Sequence, residues 1–335
     1  MLGPSGASAH LRGIAEALRP IAVVTAVASD HRGIHGEIVA PIIETGVPGW
    51  PSWLASRRDH REVWAARRVA TAAANMAPDL VWERYSLFSD AGRRVMSATG
   101  CRWILEVNAP LVDERLRYEE VRRLAWARGW EKDVLRSAPE IIAVSGWLTE
   151  WLRDLGCRNV RHVPNGVADI VGDRDATRAR LGISDRFVVG FLGSMKPWHG
   201  VHRMAAVLDA IPDAVALIVG EGPVALTHPR CINVGQVGEA EAADLVAAMD
   251  VGLAPYAADA PPWFCPLKVL AYRAQGTPVV ATAIGDCHAM TGSGGTVLLA
   301  RASDDDLISA CLAWRGRRAA RTVRTWREVV REAVG

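Results

Sequence analysis

Lysine is nearly absent from this chain. Of the 39 basic residues among 335, only Lys132, Lys196 and Lys268 are lysine, and the other 36 are arginine, so the place of each lysine carries information. Tyrosine and phenylalanine are scarce too, four of each against 13 tryptophans. No apolar run reaches about 18 residues, and the start lacks the charged-then-apolar layout of a signal peptide. Nothing therefore marks a membrane span or export, and a cytoplasmic protein is expected. Charge of one sign is missing as well: 37 acids against 39 bases leave a formal net charge of +2. With the arginines spread along the chain, nucleic acid is not an expected partner. The six cysteines (Cys101, Cys157, Cys231, Cys265, Cys287, Cys311) form no C-x-x-C pair and no zinc spacing with histidine, so free thiols and no metal are expected.

What is present is globular in character: 50% hydrophobic residues, 23% charged and a mean hydropathy of +0.09. The length is about twice that of a usual single domain, which predicts two domains with a cleft. Short Val-, Ile-, Leu- and Ala-rich runs with little polar alternation, separated by amphipathic stretches, are the pattern of parallel strands covered on both faces. The first half places strands near 21–27, 38–43, 80–82, 103–107 and 141–144. The second half places them near 187–192, 215–219, 232–234, 251–254 and 279–282. A polar, charge-rich stretch at 168–180 between the halves reads as a linker, so two doubly wound α/β domains are expected. The start is unusual. Ser5-Gly6-Ala7-Ser8 reads as a loop entering a helix with Leu11, Ile14, Ala15 and Leu18 on one face, yet no strand precedes it, although such a loop normally follows the central first strand.

Two segments in the second half carry chemistry. Gly193-Ser194-Met195-Lys196-Pro197-Trp198-His199-Gly200 lies between a strand and an apolar helical pattern, where backbone N–H groups and a positive helix end can hold an anion. It is neither G-x-G-x-x-G nor a Walker loop, so neither NAD nor ATP is indicated; an ordinary turn with an exposed Lys and His is the alternative. In the second segment, Pro266 suits a first helical turn and Gly276 a helix end, with a buried strand following. Lys268 then stands in the first turn, where a cation opposes the helix dipole unless an anion shares the site; the alternative is a lysine that snorkels to solvent.

These residues resemble a known family. G-S-M-K-P-W-H-G at 193–200, V-G-E-G-P at 219–223, N-V-G-Q-V at 233–237 and F-C-P-L-K followed by G-T-P-V-V-A-T are similar to the nucleotide-sugar domain of glycosyltransferase family 4, which has the GT-B fold. W-E-R-Y-S at 82–86, L-E-V-N-A-P at 105–110, A-V-S at 143–145, V-P-N-G-V at 163–167 and G-A-S-A-H at 6–10 resemble its acceptor-side domain. T-W at 325–326 resembles the C-terminal helix that crosses back.

The resemblance implies two Rossmann-like domains facing a central cleft, an acceptor-side domain over 1–167, a donor domain over 168–318 and a returning helix over 319–335. It also implies a retaining transferase, independent of metal and cofactor, that moves a sugar from a nucleoside diphosphate donor to a saccharide or small natural-product acceptor. By position Lys268 would contact the diphosphate, with the backbone of Gly193 and Ser194 and, in one of two readings, Lys196. His199 is either a weaker phosphate partner or the cap of its own turn. Gly235, Gln236 and Val237 would read the base, with Glu221 shaping that wall and Trp263, Pro266 and Leu267 lining the donor. In the first domain Gly6, Ala7 and Ser8 would approach donor or acceptor. His10 either faces the cleft or packs its helix, Asn108 stands where many relatives carry a His, and Glu83 and Arg84 fall on the acceptor side.

One departure is pronounced. The family's Glu-x7-Glu pair falls on Trp263 and Ala271. Because unpaired buried polar groups are costly, a donor lacking the matching hydroxyls, a deoxysugar or deoxyribose nucleotide, is the expectation. A nucleotide-sugar-binding pseudoenzyme of the same fold is the rival, and a dinucleotide oxidoreductase is disfavoured by the missing fingerprint. Trp50, Trp53 and Trp64 cluster where acceptors usually bind, and Trp50 and Trp53 leave room for peripheral membrane contact.

Overall fold

The computed structural model describes residues 6–29, 41–46, 58–118, 120–291, 296–299 and 303–335. The chain divides into two compact units, Met1–Pro164 with Val330–Gly335 and Asn165–Val329. Trp50 and Trp53 lie outside the described residues.

The first unit runs α1 (Gly6–Leu18), β1 (Ala26–Ala28), β2 (Ile42–Glu44), α2 (Arg58–Ala74), β3 (Leu80–Arg84), α3 (Ala91–Thr99), β4 (Arg102–Val107), α4 (Leu111–Tyr118), α5 (Leu124–Ser137), β5 (Glu140–Ala143), α6 (Gly146–Asp154) and β6 (Val160–His162). Strands β3, β4, β5 and β6 form a parallel sheet in that order. In β4, Trp103, Ile104, Leu105 and Val107 are fully buried, as a continuous apolar run covered on both faces requires. Strands β1 and β2 pair parallel as a separate two-stranded piece. The expected strand at 21–27 is shorter and later, because the chain leaves α1 through a turn in which Ile21 and Ala22 donate back to the Leu18 carbonyl. Of the strand expected at 38–43, residues 38–40 lie outside the described residues and pairing begins at Ile42. Residues 1–5, which precede α1, lie outside the described residues.

The second unit runs α7 (Arg174–Leu181), β7 (Phe187–Leu192), α8 (Met204–Ala210), β8 (Ala214–Val219), β9 (Cys231–Gly235), α9 (Glu239–Ala248), β10 (Val251–Ala254), α10 (Leu267–Ala274), β11 (Val279–Thr282), β12 (Thr296–Leu299) and α11 (Asp304–Ala313). Its six-stranded sheet, in the order β12-β11-β10-β7-β8-β9, is parallel throughout. Phe187, Val189, Phe191, Met204, Val207, Leu208 and Ile218 meet in one buried cluster against one face of that sheet.

The polar stretch at 168–180 is not a linker. Asp173 caps α7 by accepting from the Ala176 N–H, and the helix charges face inward: Asp250 receives Arg174, Arg178 and the Val188 N–H. The returning helix is also shorter than expected, α12 (Trp326–Val334), because 317–324 forms no helix.

The arginine bias has a structural use. A helix leaves its last four carbonyls unpaired, and a guanidinium offers five donors in a planar fork. Arg230 donates to Leu208, Ile211, Pro212 and Ala214 at the end of α8. At the end of α9, Arg174 and Arg318 meet the Met249 carbonyl and Arg178 meets Ala248. Arg318 and Arg321 close α10 through Gln275 and Ala274, and Arg102 and Arg161 close α12 through Val334, Glu332 and Ala333.

Candidate functional site

In an open parallel α/β sheet, ligands are received beyond the carboxyl ends of the strands. In the second unit those ends carry every donor-side residue named from the sequence. Beyond β7 stand Gly193, Ser194 and Lys196; beyond β8, Glu221; at and beyond the end of β9, Gly235, Gln236 and Val237; on the segment from β10 into α10, Trp263, Pro266, Leu267 and Lys268.

Backbone stitches these loops together. The Gly193 N–H donates to the Val219 carbonyl at 2.9 Å and the Gly220 N–H to the Gly235 carbonyl at 2.7 Å. The Met195 carbonyl accepts from the Val224 N–H at 3.1 Å. The approach is close enough to demand glycine: a Cβ on Gly220, at φ +117°, would lie 2.3 Å from the Gly193 carbonyl oxygen. Gly193 itself, at φ +137°, leaves room for Lys268, whose Cε and Nζ lie 3.3 and 3.4 Å from where its Cβ would stand.

Lys268 does not snorkel. It is 8% exposed, and among the described residues its Nζ has no hydrogen-bond partner. The ammonium position lies 4.2 Å from the Phe191 ring centroid and 5.0 Å from that of Tyr256. Burial lowers the Lys268 pKa from its ordinary value to about 7, with the Cys287 thiol pulling weakly the other way. Pro266 is the N-cap residue of α10 rather than part of its first turn, and Gly276, at φ +61°, follows the helix end.

Helix α10 also supplies a residue that sequence reading missed. Tyr272, one turn beyond Lys268 on the same face, accepts from the Leu192 N–H at 2.8 Å and donates to the Leu253 carbonyl at 3.1 Å. It thereby fixes the end of β7 from which Gly193 departs. The signal was present as an i, i+4 Lys–Tyr pair, but nothing in the pattern told an anchoring tyrosine from a packing one.

His199 is 7% exposed, with its ring 4.1 Å from that of Trp198. Its Nδ1 accepts from the Lys196 N–H at 3.4 Å, so it caps its own turn. Burial, then Lys268 and Lys196, lower its pKa to about 2. A ring held neutral cannot be a cationic phosphate partner. Lys196, Ser194, Glu221 and Gln236 are exposed, and Trp263 and Leu267 half-buried.

In the first unit, the carboxyl edge of β3 and β4 holds a cluster around Glu106, which is 2% exposed. Its Oε1 lies 2.7 Å from His10 Nε2 and accepts from Asn108 Nδ2 at 2.7 Å, while Oε2 accepts from Trp82 Nε1 at 2.8 Å. Burial alone would raise this carboxyl, but His10, Arg84 and Asn108 together bring it down to about 2. His10 and Asn108 are thus brought together, with Arg84 close enough to act on the same carboxylate. Glu106 was missed because a carboxylate inside an apolar run reads as an outward-facing position.

Glu83 goes elsewhere. It accepts from Ser89 Oγ at 2.7 Å and from the Gly92 N–H at 3.0 Å, staking the start of α3; burial raises its pKa against those bonds. Its assignment to an acceptor surface is replaced by this structural one. Gly6, Ala7 and Ser8 form the first turn of α1.

Among the described residues no group of three or more His, Cys, Asp or Glu could hold a metal ion. No helix among them is long and apolar enough to cross a membrane, and all six cysteines are free.

Residues 4–169 match the family described as Glycosyltransferase Family 4, and residues 186–314 match Glycosyl transferases group 1. Among solved structures, the chain is similar to sucrose-phosphate synthase from Thermosynechococcus elongatus at 20% identity and a TM-score of 0.72, over 98% of this chain and 88% of that one. It is similar to Anabaena HepE in complex with UDP and glucose at 18% identity and a TM-score of 0.73, over 99% and 93%. A glycosyltransferase from Rickettsia africae gives 13% identity and a TM-score of 0.60, over 97% and 87%. At such identities the likeness speaks for the fold, two Rossmann-like domains of GT-B type. No curated protein matches the chain.

Proposed function

The chain belongs to the family 4 glycosyltransferases, and from that premise we propose that it moves a glycosyl group from a nucleoside diphosphate sugar to a saccharide or small natural-product acceptor, with retention of configuration, in the cytoplasm. The observation that carries this reading is the buried Lys268 amine set against the Gly193 loop with no hydrogen-bond partner among the described residues. A diphosphate placed there would find the amine and the backbone around Gly193 and Ser194, and charge-assisted bonds of this kind strengthen as the leaving group gains charge. Relatives of the same fold hold UDP and glucose, and UDP-glucose, which agrees with a diphosphate ligand.

The chemistry asks for no carboxylate nucleophile. In a front-face displacement the departing diphosphate oxygen takes the acceptor proton while Lys268 neutralises the charge that develops on it. Asn108 and His10, held by Glu106, then serve to place acceptor or donor hydroxyls, since a neutral amide positions but does not abstract protons. Trp263 and Ala271 stand where the family carries carboxylates, and an apolar pair there fits a donor poor in hydroxyls at those contacts.

The test is to incubate the protein with a panel of nucleotide sugars, including dTDP-deoxysugars, and measure released nucleoside diphosphate. Release from one donor class is expected, with the deoxysugar binding more tightly than its fully hydroxylated counterpart. Binding without release from any donor would favour a non-catalytic nucleotide-sugar-binding role, and no binding would remove the reading.

A further inference from the structure

Among the described residues, Lys268 is set among groups that leave it without a counter-ion. From β7 comes the Phe191 ring, and from the loop beyond it only Gly193. From the turn that follows come His199, which stays neutral, and exposed Lys196, a like charge. The segment after β10 offers Tyr256, whose phenol burial pushes far up, and Cys265, pushed up to about 12. From α10 itself comes Tyr272, also raised by burial. The turn after β11 offers Cys287, again pushed up to about 12, and Asp286, whose charge bears on Cys265 and Cys287. Apart from Lys268, none of the groups in this setting whose pKa is displaced changes charge near neutrality.

We infer that Lys268 is largely an uncharged amine above neutral pH in the unliganded protein and takes up a proton as a diphosphate enters beside Gly193, so that anion binding at this site is coupled to proton uptake. The inference rests on the donor-site reading above. A buried ammonium facing two aromatic rings and a thiol raised by burial lacks the paired charge and hydrogen bonds that offset desolvation, and two cation–π contacts recover only part of that cost. The free amine is therefore favoured, in keeping with a pKa brought down to about 7. An arriving diphosphate supplies the missing anion and acceptor oxygens, which favour the charged form. The step balances simply: the amine lone pair takes one proton from solvent, becomes an ammonium and bonds the anion. By linkage, donor affinity rises as pH falls between the free and the liganded pKa, by up to about tenfold per pH unit.

Three lysines make the measurement direct. In protein carrying carbon-13-labelled lysine, the Cε signals of Lys132, Lys196 and Lys268 are followed against pH and assigned with Lys268→Arg. In free protein the Lys268 signal is expected to titrate near neutrality; with saturating UDP-glucose its midpoint should rise by more than about one unit. UDP-glucose is a suitable probe because its diphosphate, esterified at both ends, does not itself titrate near neutrality. Calorimetry at about pH 8 in buffers of different ionisation enthalpy should then report uptake of about 0.4 proton or more, lost in Lys268→Arg, whose guanidinium is always charged. A Lys268 signal that titrates with the other two overturns the inference. Donor binding without proton uptake overturns the coupling and leaves the donor reading standing, whereas binding of neither UDP-glucose nor a dTDP-deoxysugar, used as the alternative probe, overturns both.

Discussion

Burying Lys268 with no counter-ion among the described residues destabilises the fold, a cost borne, on the proposed reading, at the donor site. Lys268→Met removes that cost and the ligand contact together. The variant should unfold at a higher temperature than wild type, by about 1–2 kcal/mol in stability, with turnover at saturating donor lowered about tenfold to a hundredfold; thermal unfolding and initial rates check the two halves separately. Glu106 presents the opposite case, a buried carboxylate whose pKa is lowered because its partners are in place. A depressed carboxyl contributes stability above its ordinary pKa and loses it as pH falls from about 4.5 toward 2. Glu106→Gln should therefore lower stability at neutral pH by about 3 kcal/mol and flatten that acid limb, as thermal unfolding between those pH values would show.

At the scale of elements, strands buried along their whole length were legible in the sequence and partly exposed ones were less so. The runs at 187–192, 251–254 and 279–282 are strands to the residue, because a strand covered on both faces has nothing but apolar side chains to show. Strand β6, Val160–His162, escaped detection because one apolar residue followed by Arg161 and His162 has no period; its pairing with β5 makes it a strand. Helix α7 was misread for a related reason. Its charges look solvated, yet Arg174 and Arg178 close the end of α9 and meet Asp250. The same arginine chemistry gives a prediction at this scale. Arg230→Lys keeps the charge but not the fork that serves the end of α8, and should cost about 1–3 kcal/mol in urea unfolding; an unchanged midpoint would show that the fork contributes nothing.

Across the whole molecule, family motifs and parallel sheets agree on a two-domain glycosyltransferase, while the residues around the motifs depart from the family's usual choice. Lys268, Gly193 and the loops beyond β8 and β9 were legible by position because a strand–loop–helix spacing survives substitution. The anchors Tyr272 and Glu106 were not, because each acts through partners distant in sequence. The deciding measurement is a calorimetric titration of UDP-glucose and dTDP-deoxysugars into wild-type protein and into Lys268→Met. The expected result is saturable binding of one donor class to wild type and an affinity at least about tenfold weaker in the variant, the equivalent of one charge-assisted contact. Equal affinity in the two proteins would contradict a diphosphate site at Lys268.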